Sequence, residues 1–248
     1  MTTKFTIMKH KIFTTVISIF FTIALGAQTL QVEQRSMNNE ESRQVDAWIA
    51  HLDQPVSYCM DTYSDFMKKT FSAKIDKRSK NVLSVNKTVF PEVSNLRIDQ
   101  RAVFAQESAG TAVAFMFSPG YDIHFGKELY NAEFVKGEAF VKNYIRYHYQ
   151  TFYNETIKDI NSKIKSKQKS ISSNQSKIDK NLKSMKENDE DIAVGSVDSE
   201  KLKEKNAKLE KDNATLNAEI EKLNTEISAL SADIGKANQS LQLVEGYR

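Results

Sequence analysis

The chain has 248 residues, with 35 Lys+Arg against 32 Asp+Glu, one Cys and four His. The three excess cations, Lys4, Lys9 and Lys11, all lie in the first 27 residues, which hold no acid, so the remainder is formally neutral. Neutrality removes the general electrostatic case for nucleic acid as a partner. A single Cys makes no internal disulfide, and four scattered His leave little for a metal centre.

Residues 1–27 read as a cleavable export signal. Lys4, Lys9 and Lys11 form a positive start, Ile12 to Leu25 is an uncharged and mostly apolar run, and the small Gly26 and Ala27 precede polar Gln28. The run is shorter than the ~20 residues a transmembrane helix needs, so no membrane anchor is expected after cleavage. The expected destination is the periplasm or beyond it.

Residues 28–42 form a polar N-terminal segment, and 43–126 an α+β head domain. Val45, Ala47 and Ile49 alternate as in a half-buried strand. Pro55 opens a helix, with Asp53 or Gln54 as its cap. Val56, Cys59, Met60, Tyr63, Phe66, Met67 and Phe71 then mark one apolar helical face. Extended stretches follow at Val82 to Val85, Leu96 to Phe104 and Thr111 to Phe117, the last bracketed by Gly110 and the turn at Ser118-Pro119-Gly120. This order predicts one sheet covered on one face by helices.

Aromatic residues are dense up to Tyr153 and then absent until Tyr247. The chain from 127 to 153 is therefore read as an aromatic neck helix, and residues 154–246 as an antiparallel helical-hairpin coiled coil. Arm 1 spans 154–187, with Ile157, Ile160, Ile164, Ile171, Ile178 and Met185 along its seam. A hairpin loop at 188–199 comes next, with Asp198 as cap for the second long helix. In arm 2, at 200–246, Leu202, Leu209, Leu216, Leu223 and Leu230 share one heptad position. Asn206, Asn213, Ile220, Ile227 and Ile234 share the other. Arm 1 from Ile157 to Glu187 holds nine Lys and three acids, whereas Asp198 to Glu245 holds seven Lys and ten acids. Opposite charge on arms joined by a short loop favours folding back over a parallel dimer. The expected register sets Met185 beside Leu202 and Ile178 beside Leu209. Self-association through the coil stays open, because arm 2 has the more continuous apolar face.

No catalytic motif is present, and no cofactor or metal is expected. The candidate partner contacts are Ile192, Val194 and Val197 at the hairpin loop, and Tyr147 and Tyr153 on the neck. Apolar side chains at a distant loop have no core to join, and neck tyrosines off the seam can serve as stacking platforms. Asp61 and Asp65 share a helix face as paired carboxylates would, but a solvated face is the plainer reading. Asn188 to Asp191 is acidic yet lacks the spacing of a helix-loop-helix calcium site. Cys59 is expected to be a buried thiol, with a dimer disulfide as its alternative. His51, His124 and His148 lack ligand spacing.

Ser36-Met37, Phe66-Met67-Lys68-Lys69, and the strand Ala112 to Phe117 running into a Gly-containing loop carry a resemblance. The chain resembles a family of exported bacterial proteins with a small α+β head and a C-terminal coiled coil, which implies no activity and no site residues. In architecture it is also similar to periplasmic holdase chaperones that join a small β body to helical tentacles. Those are basic trimers whose hairpin lies between strands, whereas this remainder is neutral and its hairpin ends the chain. The expectation is an exported, non-enzymatic scaffold or protein–protein interaction protein of the cell envelope. The alternatives are a holdase that clasps clients with the hairpin, and an enzyme with a site at the head–neck junction.

Overall fold

The computed structural model describes residues 32–38, 43–121, 123–195 and 197–247. The expected export signal lies outside these. No helix among the described residues is long and apolar enough to cross a membrane.

The head is α+β. Strands β1 (Val32–Asn38), β2 (Gln44–Leu52), β3 (Asp76–Ser79), β4 (Val82–Phe90), β5 (Ser94–Glu107) and β6 (Gly110–Ser118) form one antiparallel sheet in the order β1-β2-β6-β5-β4-β3. The sheet is wider than expected, because β1 and β3 extend it at its two edges. β1 lies within the segment expected to be merely polar, and pairs Met37 with Val45 and Val32 with Ala50. β3, Asp-Lys-Arg-Ser, pairs Asp76 with Ser84 across a bulge. Short, charged edge strands resist pairing with other chains, and the same charges hide their strand character.

Helix α1 (Val56–Phe71) follows Pro55, as the sequence predicts. Pro55 itself is the cap residue, and it makes no side-chain cap. The side chains of Asp53 and Gln54 are committed to the neck of the long helix instead. Helix α2 (Asn131–Ala193) runs 63 residues, and α3 (Ser199–Glu245) runs 47. At 1.5 Å per residue they are about 95 Å and about 70 Å long.

The main core lies between the sheet, α1 and the first turns of α2. Phe140 is its hub, with ring centroids 5.3–6.1 Å from those of Phe66, Phe71, Phe90, Phe115 and Phe117. Edge-to-face contacts dominate, as the ring quadrupole favours. Gly137 allows the close approach of α2, since a Cβ there would meet Phe117 at 3.0 Å and Trp48 at 3.1 Å. Trp48 then donates Nε1–H to Phe134 O at 2.7 Å. Deeper in, Tyr63 donates its hydroxyl to Gln100 Oε1. Both residues are fully buried, and Gln100 Nε2 has no partner among the described residues. On the opposite face of the sheet, Val45, Ala47, Ile49, Ala114 and Met116 form a smaller buried cluster.

Contacts between the long helices run in opposite directions along the chain. Asn188 Nδ2 donates to Asn206 Oδ1 at 2.7 Å, Asn181 to Asn213 at 2.8 Å, and Asn174 to Glu219 at 3.0 Å, and Lys167 pairs with Glu226. Met185 consequently lies between Asn206 and Asn213, near Leu209, and not beside Leu202. The expected register is thus off by about one heptad. The cause is the connection: α2 continues to Ala193, so the turn is Val194 to Asp198 and not the longer 188–199. Asp198 makes no side-chain cap and instead accepts from Lys201 Nζ at 2.9 Å. At the other end Ala237 and Val244 are buried in the head core, and Lys142 Nζ lies 5.9 Å from the centroid of the Tyr247 ring.

Candidate functional site

The neck tyrosines face inward. Tyr147 on α2 is half-buried, with its ring 5.5 Å from Phe66 and its hydroxyl donating to Asp65 Oδ2 at 3.2 Å. Tyr153 is 6% exposed and stacks on Tyr149 at 6.2 Å, with Ser240 of α3 within hydrogen-bonding reach. Tyr153 is therefore no surface contact, because the last turns of α3 close over it.

Beneath these rings lies a polar cluster assembled from four elements. His148 of α2 is fully buried, with Nδ1 2.6 Å from Thr62 Oγ1 of α1 and Nε2 2.6 Å from Gln54 Oε1. With Oε1 accepting, Nε2 carries the proton and Nδ1 accepts from the Thr62 hydroxyl. Gln54 O in turn accepts from Thr111 Oγ1 of β6 at 2.8 Å and from Cys59 Sγ at 3.5 Å. Tyr144 donates to Cys59 O at 2.9 Å, and Tyr149 to Asp53 Oδ1 at 2.7 Å. Burial pushes the His148 imidazolium down to about 3 and the Cys59 thiol up to about 11. An imidazole held neutral beside a hydroxyl resembles a general base. Yet His148, Thr62, Thr111, Cys59 and Gln54 are all buried, which leaves no path for a substrate between them. The cluster locks α1, the β2–α1 connection, β6 and α2 together. Farther out, Tyr58 donates to Glu155 Oε2 at 2.8 Å, which extends the same lock along α2.

The turn between α2 and α3 is the opposite case. Val194 is 83% exposed and Val197 fully exposed, while Ile192 is half-buried. Gly195 supplies the positive φ of 77° that reverses the chain. From Glu187 to Glu200 there are six acids and no Lys or Arg, directly after the lysine-rich stretch of α2. Asn188 and Asp189 are bonded to Asn206, so they brace the helices. No group of three or more His, Cys, Asp or Glu among the described residues could hold a metal ion.

Of the remaining candidates, Asp65 pairs with Lys69 at 2.6 Å, which holds its carboxyl below the usual range, while Asp61 is exposed and forms no pair with it. Cys59 is fully buried, so the dimer disulfide is excluded in this fold. His51 Nδ1 lies 2.9 Å from Glu107 Oε2, and Nε2 3.4 Å from Glu33 Oε1, across β1, β2 and β5. His124 is half-buried in the loop before α2.

Compared with protein-family models, curated proteins and solved structures, the chain matches none. Sequence reasoning offers Gln54 only as a helix cap and Thr111 only as the start of a strand, and gives no role to Thr62. The one usable signal was His148 itself, a polar residue amid Tyr144, Tyr149 and Tyr153 on an otherwise aromatic face.

Proposed function

We propose that this is an exported, non-enzymatic scaffold of the cell envelope. Its α+β head carries an antiparallel coiled-coil hairpin whose apex meets a protein partner. The observation that carries this reading is the continuity of α2 from the head core to an apex with two exposed valines. The neck bonds fix the direction of the hairpin relative to the sheet. About 40 residues of α2 lie beyond Tyr153, a reach of about 60 Å at 1.5 Å per residue. The sealed polar cluster supports a structural role for the junction over a catalytic one.

The test is site-specific photo-crosslinking in the native cell, with the reactive residue at Val194 or Val197 and a control at Lys80, exposed in the β3–β4 turn of the head. A discrete adduct from the apex positions and none from the control is expected. Equal labelling from all three positions, or none, would sink the assignment of the apex.

A further inference from the structure

We propose that the partner met by the apex is a second copy of this chain, with two hairpins packed side by side and head to tail. This rests on reading α2 and α3 as a hairpin with a contacting apex. The first support is incomplete coverage. Leu209, Leu216, Ile220, Leu223, Ile227 and Leu230 all face the α2–α3 seam, yet each is only half-buried. The facing stretch of α2 offers Ile164 and Ile171 but also Lys167 and Asn174. A lone pair of helices leaves the flanks of its seam wet, and a second pair closes them into a four-helix layer.

The second support is charge. Within the chain, Lys167 is the one lysine of the described α2 stretch that pairs with α3, and Lys183 and Lys186 pair along their own helix. The ammonium groups of Lys158, Lys163 and Lys165 have no ion pair among the described residues, and neither do the carboxylates of Glu210, Asp212 and Glu221 on α3. A second copy laid head to tail satisfies both sets, its apex acids meeting these lysines and its Lys169 and Lys180 meeting these carboxylates.

Orientation follows from the apex. Two hairpins aligned in the same direction would crowd two apices of six acids each. Head to tail, each acidic apex lies beside Lys158, Lys163 and Lys165 of the other copy. A two-fold axis across the hairpins then closes the assembly at two chains.

The experiment uses the chain from Gln28 onward with Val194→Cys, whose thiol is accessible while Cys59 is buried. Equal amounts of light and isotopically heavy protein are joined by a short thiol–amine crosslinker, and solution mass is measured by light scattering. Within one copy, position 194 is about 45 Å or more from Lys165, Lys163 and Lys158 along α2, beyond a short linker. The expected result is a two-chain mass with light–heavy crosslinks from 194 to those lysines. Reversing the three lysines to Glu should weaken the pair on the order of 100-fold. Adding Glu190→Lys, Asp191→Lys and Glu200→Lys to the same chain should restore it, which separates lost pairing from lost folding.

A single-chain mass overturns the proposal, and so does a two-chain species crosslinked at 194 apex to apex. Small-angle scattering separates the two readings. A single chain whose longest dimension is at least about 95 Å would retain the hairpin and refute self-pairing. A compact single chain would refute both.

Discussion

His148 Nε2 and Gln54 Oε1, 94 positions apart, sit 2.6 Å from each other with no access to water. This contact ties the longest helix to the residue before Pro55, and it does so with a group that titrates. In the unfolded chain the imidazole takes up a proton near 6.5, and in the folded chain burial delays this to about 3. Below 6.5 the unfolded state therefore binds more protons, and stability falls as the pH is lowered.

Above pH 6.5 this group costs nothing; between 6.5 and about 3 the loss is about 1.4 kcal/mol per pH unit. Urea unfolding at pH 7.5, 6, 5 and 4 should show this slope, and His148→Gln should flatten it while lowering stability at pH 7.5 by about 1–3 kcal/mol. His51 acts with the opposite sign. Its hydrogen bond with Glu107 raises its pKa, so its contribution is present below 6.5 and lost as pH rises through the folded value. At 39% side-chain exposure it is the weaker of the two.

The buried pair Tyr63 and Gln100 gives a double-variant test. Tyr63→Phe alone strands the Gln100 amide and should cost about 1–3 kcal/mol. Adding Gln100→Met removes the stranded group as well. The double variant should recover most of the loss or exceed the parent in thermal unfolding. A double variant no more stable than Tyr63→Phe would mean that the amide has a further partner.

Cys59 should not react with a thiol reagent until the head opens. Labelling rates in increasing urea are expected to track global unfolding, because α1 cannot expose Cys59 without breaking the His148 cluster. Fast labelling in native buffer would show that the junction opens locally.

Asn181 and Asn213 help to hold the register of the long helices, with Asn181 donating to Asn213 at 2.8 Å. Replacing both with Ile should raise the melting temperature, and at the same time allow α3 to slide by a heptad. Cysteine pairs placed for each register would report this by disulfide trapping. The parent should trap one register and the variant both.

How far the fold was legible depends on the same residues. Alternation in β2 and β6 is unambiguous, because Val45, Ala47 and Ile49, and then Val113, Phe115 and Phe117, each serve one face. β1 and β3 escaped since charged edge strands have no apolar period to read. The helix pair was legible as helices but not in register, since Leu202 and Leu209 are interchangeable as aliphatics. The buried asparagines, which need partners, and the short Val194–Asp198 turn distinguish the two pairings. The junction was visible as aromatic residues and hidden as a polar cluster, because Gln54, Thr62, Thr111 and His148 are far apart in sequence and meet only once the helices dock. The exposed apex was legible from Val194, Val197 and the acids around them.

Between Gly137 and Val194, α2 has neither glycine nor proline. A helix without those residues has no built-in point of bending. A load at the far end of α2 therefore passes along one unbroken backbone to Gly137, where Trp48 and Phe117 meet the helix. The tyrosine–carboxylate bonds of the neck, Tyr149 to Asp53 and Tyr58 to Glu155, lie on that path.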